Sequence, residues 1–266
     1  MAPLRVLCIH GYRQNGTSFR EKTGSLRKLL KKQLELVYIC APLAVQTAAT
    51  TEVPNEENNS IPAPKDLRKL LKKQLELVYI CAPLSVQTAA TTEVPNEEND
   101  SIPAPKDDEE PRGWWFSDVQ ARSFSARQPC ETSLGLDDSI SVVREAVKAQ
   151  GPFDGVLGFS QGAAFVAMLC SLQEQQLEPE LNFRFAIIIA GFRSRCEEHQ
   201  KFYDAPLQIP SLHVFGLGDK IIPDSMSREL LPSFQDPQVL IHPGGHFVPA
   251  AAAHRQTYQD FLKKFQ

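Results

Sequence analysis

Short apolar runs alternate with amphipathic stretches along most of the chain. The apolar runs predict strands at about Leu4–His10, Phe153–Phe159, Arg184–Ala190, Ser211–Phe215 and Gln238–His242. Helices are predicted between them, from about Thr17, whose hydroxyl can cap the helix, and over about Thr132–Gln150, Gly162–Leu172 and Pro249–Phe265. Because strands and helices alternate, the sequence predicts an α/β fold with a mostly parallel, doubly wound sheet, formed as a single domain over residues 1–266.

The regular pattern is interrupted by a duplicated block. Residues 26–66 and 67–107 are the same 41-residue segment twice, and only Ala44/Ser85 and Asn59/Asp100 differ between the copies. Each copy holds a helical stretch followed by a strand-like run, at 34–40 and at 75–81. Since one sheet position cannot hold both strands, we expect one copy in the core sheet and the other to be peripheral or poorly ordered. The sequence does not decide which copy is which.

Composition excludes several classes of protein. A hydrophobic content of 42% argues against overall disorder, and a net charge of -4 gives no basic patch for nucleic acid. No apolar run reaches the roughly 18 residues that a transmembrane helix needs. The six cysteines contain no CxxC pair, which argues against a zinc ribbon or a thioredoxin-type site. The first apolar run is too short for a signal peptide, so a cytoplasmic location is expected, with a nuclear one as the alternative.

The string Gly158-Phe159-Ser160-Gln161-Gly162 lies between a predicted strand and a predicted helix. This G-x-S-x-G pattern is typical of a sharp turn that exposes a nucleophilic serine above a sheet. A serine hydroxyl is a weak nucleophile and needs a general base. The sequence therefore predicts Ser160 as a catalytic nucleophile, with an ordinary helix cap as the alternative.

The base and the acid should follow the serine along the chain, each in a loop after a strand. His246, in a glycine-rich loop after the last strand, is the preferred base, and His242 at the strand end is the competitor. Asp219 follows the strand at Ser211–Phe215 and could hold the imidazole in the correct tautomer. Asp224 is the alternative acid, although its position resembles a helix cap.

Acyl transfer also needs N–H donors for the developing oxyanion. The backbone amides of Gln161, next to the serine, and Tyr12, after the first strand, are predicted to supply them. An apolar substrate pocket is expected, because aromatic residues surround these positions and such a site favours fatty acyl chains. The tentative lining residues are Trp114, Trp115, Phe159 and Phe247, and core packing is an equal alternative for the two tryptophans.

Four strings together resemble one known family. They are Val6–Asn15, Arg112–Phe116, Gly151–Gly162 and Gly244–Pro249. The chain is similar to the FSH-type family of serine hydrolases, the LovG-like branch of the α/β-hydrolases. The resemblance implies an α/β-hydrolase fold, no metal or organic cofactor, a small-molecule ester substrate, and Ser160, Asp219 and His246 as catalytic triad. The duplicated block departs from the family pattern.

Three functions follow as hypotheses. The first is a carboxylesterase that cleaves medium- to long-chain acyl esters through an acyl-serine intermediate. The second is an acyl thioesterase with the same triad, which the sequence alone cannot distinguish from the first. The third is a non-catalytic binding module on a hydrolase scaffold, against which the complete Ser/Asp/His set argues.

Overall fold

A computed structural model describes residues 2–37, 84–85 and 111–266. Its main feature is a six-stranded sheet in which every neighbouring pair is parallel, in the order β2-β1-β5-β6-β7-β8. The strands are β1 (Leu4–Ile9), β2 (Leu34–Val37), β5 (Gly155–Phe159), β6 (Phe185–Ile189), β7 (Ser211–Gly216) and β8 (Gln238–His242). A small antiparallel pair joins β3 (Leu84–Ser85) to β4 (Arg112–Gly113).

The central strands are covered on both faces. Every residue of β5, β6 and β7 is buried, whereas the edge strand β8 alternates between buried and more exposed positions. Continuous apolar runs are what a parallel sheet requires when helices pack on both sides of it. The predicted parallel, doubly wound α/β sheet is thereby confirmed.

The helices in the described residues are α1 (Gly16–Lys22), α2 (Gly24–Leu30), α3 (Leu136–Gln150), α4 (Gln161–Glu174), α5 (Asp224–Leu230) and α6 (Arg255–Leu262). Residues Gln161–Leu172 of α4 are all buried, so α4 is enclosed by the core. The last helix is shorter than predicted, because Ala252–His254 form a 3-10 turn before α6. The 3-10 helix Glu197–Tyr203 was not predicted.

The start of α1 corrects one expectation. Asn15, in an extended conformation, caps this helix, and its side chain accepts a hydrogen bond of 2.8 Å from the Ser18 amide. The Ser18 hydroxyl in turn accepts from the Asn15 amide at 3.0 Å, which completes a capping box. The prediction that Thr17 caps the helix was wrong, because Thr17 already lies within the first turn.

The first copy of the duplicated block supplies β2. Its residues pair with β1 in the register Leu4↔Leu34 to Leu7↔Val37. Of the second copy, the structure describes only Leu84–Ser85, paired with Arg112–Gly113. The strand expected at 75–81 and the peripheral placement of one copy lie outside the described residues. The single domain over 1–266 therefore stays a prediction.

The strand order places a topological switch point between β1 and β5. The chain runs from β1 outward to β2 on one side, and from β5 through β6, β7 and β8 on the other. Ligands of open α/β sheets bind at such a switch point. Among the described residues, no helix combines the length and the apolar character needed to cross a membrane.

Candidate active site

Ser160 occupies a tight turn between β5 and α4. Its backbone has φ 54° and ψ -119°, a conformation that costs a non-glycine residue about 1–3 kcal/mol. The Ser160 amide donates a 2.9 Å hydrogen bond to the Ile189 carbonyl at the end of β6. Its side chain makes no helix-capping hydrogen bond, so the alternative of an ordinary cap is wrong. The strand–turn–helix context of the G-x-S-x-G motif is present.

The two motif glycines allow the turn to close. A Cβ atom on Gly158 would lie 2.4 Å from the Gly162 carbonyl oxygen, and one on Gly162 would lie 2.3 Å from the His10 carbonyl oxygen. Real Cβ atoms do not approach backbone that closely. Glycine at both positions therefore permits close packing between β5, α4 and the end of β1.

The loop after β1 lies directly against this turn. A Cβ on Gly11 would be 3.3 Å from the Ser160 Cβ. The Tyr12 amide donates to no other residue in the described parts of the chain. Gln161 is the first residue of α4, so its amide has no acceptor within the helix. The two amides predicted for the oxyanion are thus available beside the serine.

The Gln161 side chain has a role that sequence reasoning missed. Fully buried, its Oε1 accepts from the Trp114 amide at 2.9 Å, and its Nε2 donates to the Trp115 carbonyl at 2.7 Å. The same residue therefore offers its backbone N–H to the site and ties the turn to the aromatic segment. An uncharged amide between a helix start and a distant backbone gives no recognisable sequence pattern.

Asp219 and His246 are in direct contact, although 27 positions separate them in the sequence. His246 Nδ1 donates a 2.7 Å hydrogen bond to Asp219 Oδ2. The other carboxylate oxygen accepts from the Ile221 and Ile222 amides at 2.9 and 2.8 Å. Asp219 is 5% exposed, so this buried carboxylate is held by its own loop and aimed at the imidazole.

The imidazole lies close to the serine turn. Its ring centroid is 4.7 Å from that of Phe159, the residue before Ser160. In the described residues, the Ser160 hydroxyl makes no hydrogen bond to His246 or to another side chain. Catalytic hydrogen bonds are often long in ligand-free enzymes and tighten when substrate binds.

The alternative base His242 and the alternative acid Asp224 have different surroundings from those of His246 and Asp219. His242 is buried, and burial together with His254 lowers its pKa. Asp224 begins α5, where its carboxylate accepts from Arg228 Nε at 3.0 Å. Within the part of the chain that the structure describes, neither residue makes a His–carboxylate contact like that of His246 and Asp219.

The aromatic residues predicted as pocket lining differ in accessibility. Trp114 and Phe159 are buried, and the Trp114 indole donates to the His10 carbonyl at 2.7 Å. Trp115 lines a cavity of about 10 Å³ with Phe124 and Phe192, roughly the space of one water molecule. Phe247 is 50% exposed. Contact between substrate and either tryptophan would therefore require neighbouring residues to move.

One group in the described residues has metal-ligand chemistry, namely Cys196, Glu198 and His199. Both nitrogens of His199 are already hydrogen-bonded, to the Ser194 hydroxyl at 2.8 Å and to the Ser133 hydroxyl at 2.9 Å. Burial lowers the pKa of His199 to about 4. The His199 imidazole is therefore neutral, and both of its nitrogens already have hydrogen-bond partners.

Comparison with known proteins agrees with this geometry. The family model described as serine hydrolase (FSH1) matches residues 1–66 and 60–258. The chain belongs to the FSH1 family of serine hydrolases. Each match of this family model includes one copy of the duplicated block, in keeping with a single copy in the family pattern.

Relatives of this FSH1 member span nearly its whole length. It is 57% identical over 266 residues to Esterase OVCA2 of Danio rerio, covering 99% of this chain and 98% of the relative. It is 38% identical over 265 residues to Esterase OVCA2 of Homo sapiens, covering 99% and 97%. The predicted class, an enzyme of the serine hydrolase type with relatives named esterases, is confirmed.

Solved structures support the fold of this FSH1 member. A crystal structure of esterase PE8 gives a TM-score of 0.54 at 14% identity, covering 100% of this chain and 94% of the other. Zea mays acyl-protein thioesterase 2 gives 0.51 at 14% identity, covering 98% and 95%. The α/β-hydrolase fold predicted from the sequence is confirmed.

Proposed function

We propose that this chain is a carboxylesterase that cleaves acyl esters through an acyl-serine intermediate on Ser160. The observation that carries the proposal is the 2.7 Å contact between buried Asp219 and His246, beside a serine on a strained turn. A carboxylate that fixes the imidazole tautomer leaves the opposite nitrogen free to accept the serine proton.

The reaction uses groups already in position. Ser160 Oγ attacks the ester carbonyl while His246 Nε2 takes its proton, and the same imidazolium then protonates the leaving alcohol. The amides of Tyr12 and Gln161 donate to the developing oxyanion. Water activated by His246 releases the acyl group and regenerates the enzyme.

An apolar rim supports a medium- to long-chain acyl group as the substrate. Leu217, Ile221 and Phe247 are 58%, 57% and 50% exposed, and they flank Asp219 and His246. The two loops that carry them are joined, since the Gly218 amide donates to the Gly244 carbonyl at 3.0 Å. Exposed apolar side chains at a catalytic loop gain free energy when an acyl chain covers them, about 25 cal/mol per Å² buried.

The test is labelling by a fluorophosphonate probe together with hydrolysis of p-nitrophenyl esters. Ser160→Ala should abolish labelling and lower kcat by a factor of about 10⁴ to 10⁶. Ser225→Ala, on an exposed position, is the matched control and should keep wild-type labelling and rate. Labelling that survives Ser160→Ala would refute the proposal.

Chain-length preference is measured with a panel from acetyl to decanoyl esters. The rim predicts that kcat/KM rises with chain length, and that Phe247→Ala reduces the rise. Equal rates across the panel would remove the support for a long acyl substrate. Oxygen and sulfur esters of one acyl chain, compared on the same enzyme, distinguish the carboxylesterase from the thioesterase alternative.

A further inference from the structure

Two cysteines far apart in the sequence meet outside the catalytic centre. Cys130 and Cys196 are paired in an isolated parallel β-bridge. The Glu197 amide donates to the Cys130 carbonyl at 2.8 Å, and the Glu198 amide donates to the Glu131 carbonyl at 3.2 Å. Paired residues on neighbouring strands have Cα atoms about 5 Å apart, which is within the range that a disulfide spans.

The two thiols are free, close together and unequally accessible. Cys196 is 2% exposed, whereas Cys130 is partly exposed. The Cys196 thiol donates to the Glu131 carbonyl at 3.4 Å. Burial, followed by the neighbouring Cys130 thiol, raises the pKa of Cys196 to about 12. An oxidant from solvent can therefore reach Cys130 first, and Cys196 is the nearby partner.

Cys130 lies near the end of a segment that packs beside the candidate active site, defined here as the cover segment, residues 117–131. Within it, the Phe124 ring lies 5.3 Å from the Tyr12 ring and 5.2 Å from the Trp115 ring. Arg127 Nη2 donates to the Lys220 carbonyl at 2.8 Å. The cover segment thus connects the oxyanion loop to the loop of Asp219.

We propose that Cys130 and Cys196 are a redox couple, which a small disulfide oxidant such as oxidised glutathione converts to an intramolecular disulfide. The bond ties the cover segment to the loop after β6. Both cysteines line the same small cavity as Trp115 and Phe124, so the disulfide would link two sides of that cavity covalently.

The chemistry balances as two thiol–disulfide exchanges. The Cys130 thiolate attacks one sulfur of oxidised glutathione, which forms a mixed disulfide and releases one glutathione thiolate. Cys196 then loses its proton and attacks the Cys130 sulfur, which releases the second glutathione thiolate. Two protein thiols are oxidised, one glutathione disulfide is reduced, and the two protons end on the glutathione thiols.

Two other cysteines serve as internal controls. Cys8 and Cys170 are 3% and 0% exposed, and burial raises the pKa of each thiol. A buried thiol with a raised pKa carries little thiolate and reacts slowly with oxidants. Both should stay unmodified while the protein is folded.

The experiment treats the folded full chain with excess oxidised glutathione, removes the oxidant, alkylates the remaining thiols with iodoacetamide in denaturant and maps the peptides by mass spectrometry. The expected result is a disulfide-linked peptide pair that contains Cys130 and Cys196. Neither cysteine should carry an iodoacetamide label, and dithiothreitol should restore both thiols. A stable glutathione adduct on wild-type Cys130, full alkylation of both thiols, or a bridge to Cys40 or Cys81 instead would overturn the proposal.

Single variants assign the order of events. Cys196→Ser should stop at the mixed disulfide on Cys130, because the second attacking thiol is missing. Cys130→Ser should leave Cys196 free of glutathione, because Cys196 is buried. Should either serine variant fail to fold by circular dichroism, the alanine variant replaces it. Uptake of glutathione at Cys196 in the absence of Cys130 would contradict the order proposed.

Discussion

At the scale of single residues, Gln161 contributes both its backbone amide and its side chain to the surroundings of Ser160. Its amide lies beside Ser160 at the start of α4, while its side chain is bonded to the backbone of Trp114 and Trp115. A buried amide with both ends satisfied fixes the relative position of two segments. The side chain therefore orients the turn that carries Ser160.

Replacement of this side chain should affect both stability and rate. Gln161→Met keeps the length but leaves the Trp114 N–H and the Trp115 carbonyl buried without partners, at about 1–3 kcal/mol for each. We expect the free energy of unfolding in urea to fall by about 2–6 kcal/mol, and kcat on a p-nitrophenyl ester to fall with KM little changed.

Gln256→Met provides the matched control, because Gln256 is exposed on α6. It should change the free energy of unfolding by less than about 0.5 kcal/mol and leave kcat unchanged. Equal stability of Gln161→Met and wild type would show that the two hydrogen bonds contribute nothing net.

At the scale of elements, parallel strands bring the chemistry to one edge of the sheet. Tyr12 follows β1, Ser160 follows β5, Asp219 follows β7 and His246 follows β8. Because all these strands point the same way, their carboxyl ends and the loops after them lie on one side. The elements thus convert distant sequence positions into one site.

The duplicated block gives a prediction about β2. Deletion of residues 67–107 leaves Leu34–Val37 for this strand, and deletion of 26–66 offers the identical residues Leu75–Val78 in their place. Each shortened chain has 266 − 41 = 225 residues. The two shortened chains differ only at the Ala44/Ser85 and Asn59/Asp100 positions, so both should fold and hydrolyse p-nitrophenyl esters at equal rates.

Circular dichroism melts and ester hydrolysis of the two deletion chains provide the measurement. A chain that lacks the whole span 26–107 is the control, and it should fail to fold because it loses β2 and five of the seven residues of α2. Loss of folding in only one of the shortened chains would show that the copies are not equivalent.

At the scale of the whole molecule, three of the buried histidines have strongly lowered pKa values. Burial lowers the pKa of His10 to about 4, of His199 to about 4 and of His213 to about 3. The ordinary value in the unfolded chain is 6.5. Below pH 6.5 the histidines of the unfolded chain bind protons, whereas the buried histidines of the folded chain do not. The free energy of unfolding is therefore highest above pH 6.5 and falls as the pH decreases toward about 4.

Each of these histidines should lower the free energy of unfolding by about 1.4 kcal/mol per pH unit across that window. His213→Leu removes one of them and should reduce the loss between about pH 6.5 and pH 5 by about 2 kcal/mol. Urea unfolding at the two pH values is the measurement. Val214→Ala, at the next position of β7, is the control and should lower the free energy of unfolding equally at about pH 6.5 and pH 5. If His213→Leu leaves the pH dependence of the free energy of unfolding unchanged, the lowered pKa of His213 is contradicted.

Much of the fold could be read from the pattern of apolar positions. The strands predicted at Gln238–His242 and Ser211–Phe215 agree with β8 and β7 to within one residue, because short apolar runs bounded by loop residues predict strands. The start of α1 was misplaced, since Asn15 and Thr17 are both capable caps and only the backbone conformation selects between them. The short 3-10 helix Glu197–Tyr203 has too few residues for a periodic signal.

The sequence by itself determined the family, the α/β-hydrolase fold and the serine motif, because each is encoded in local strings of residues. Tertiary structure alone decided which copy of the block supplies β2, that Gln161 ties the turn to Trp114 and Trp115, and that Cys130 meets Cys196. These are contacts between segments far apart along the chain, and their geometry exists only after the sheet has formed.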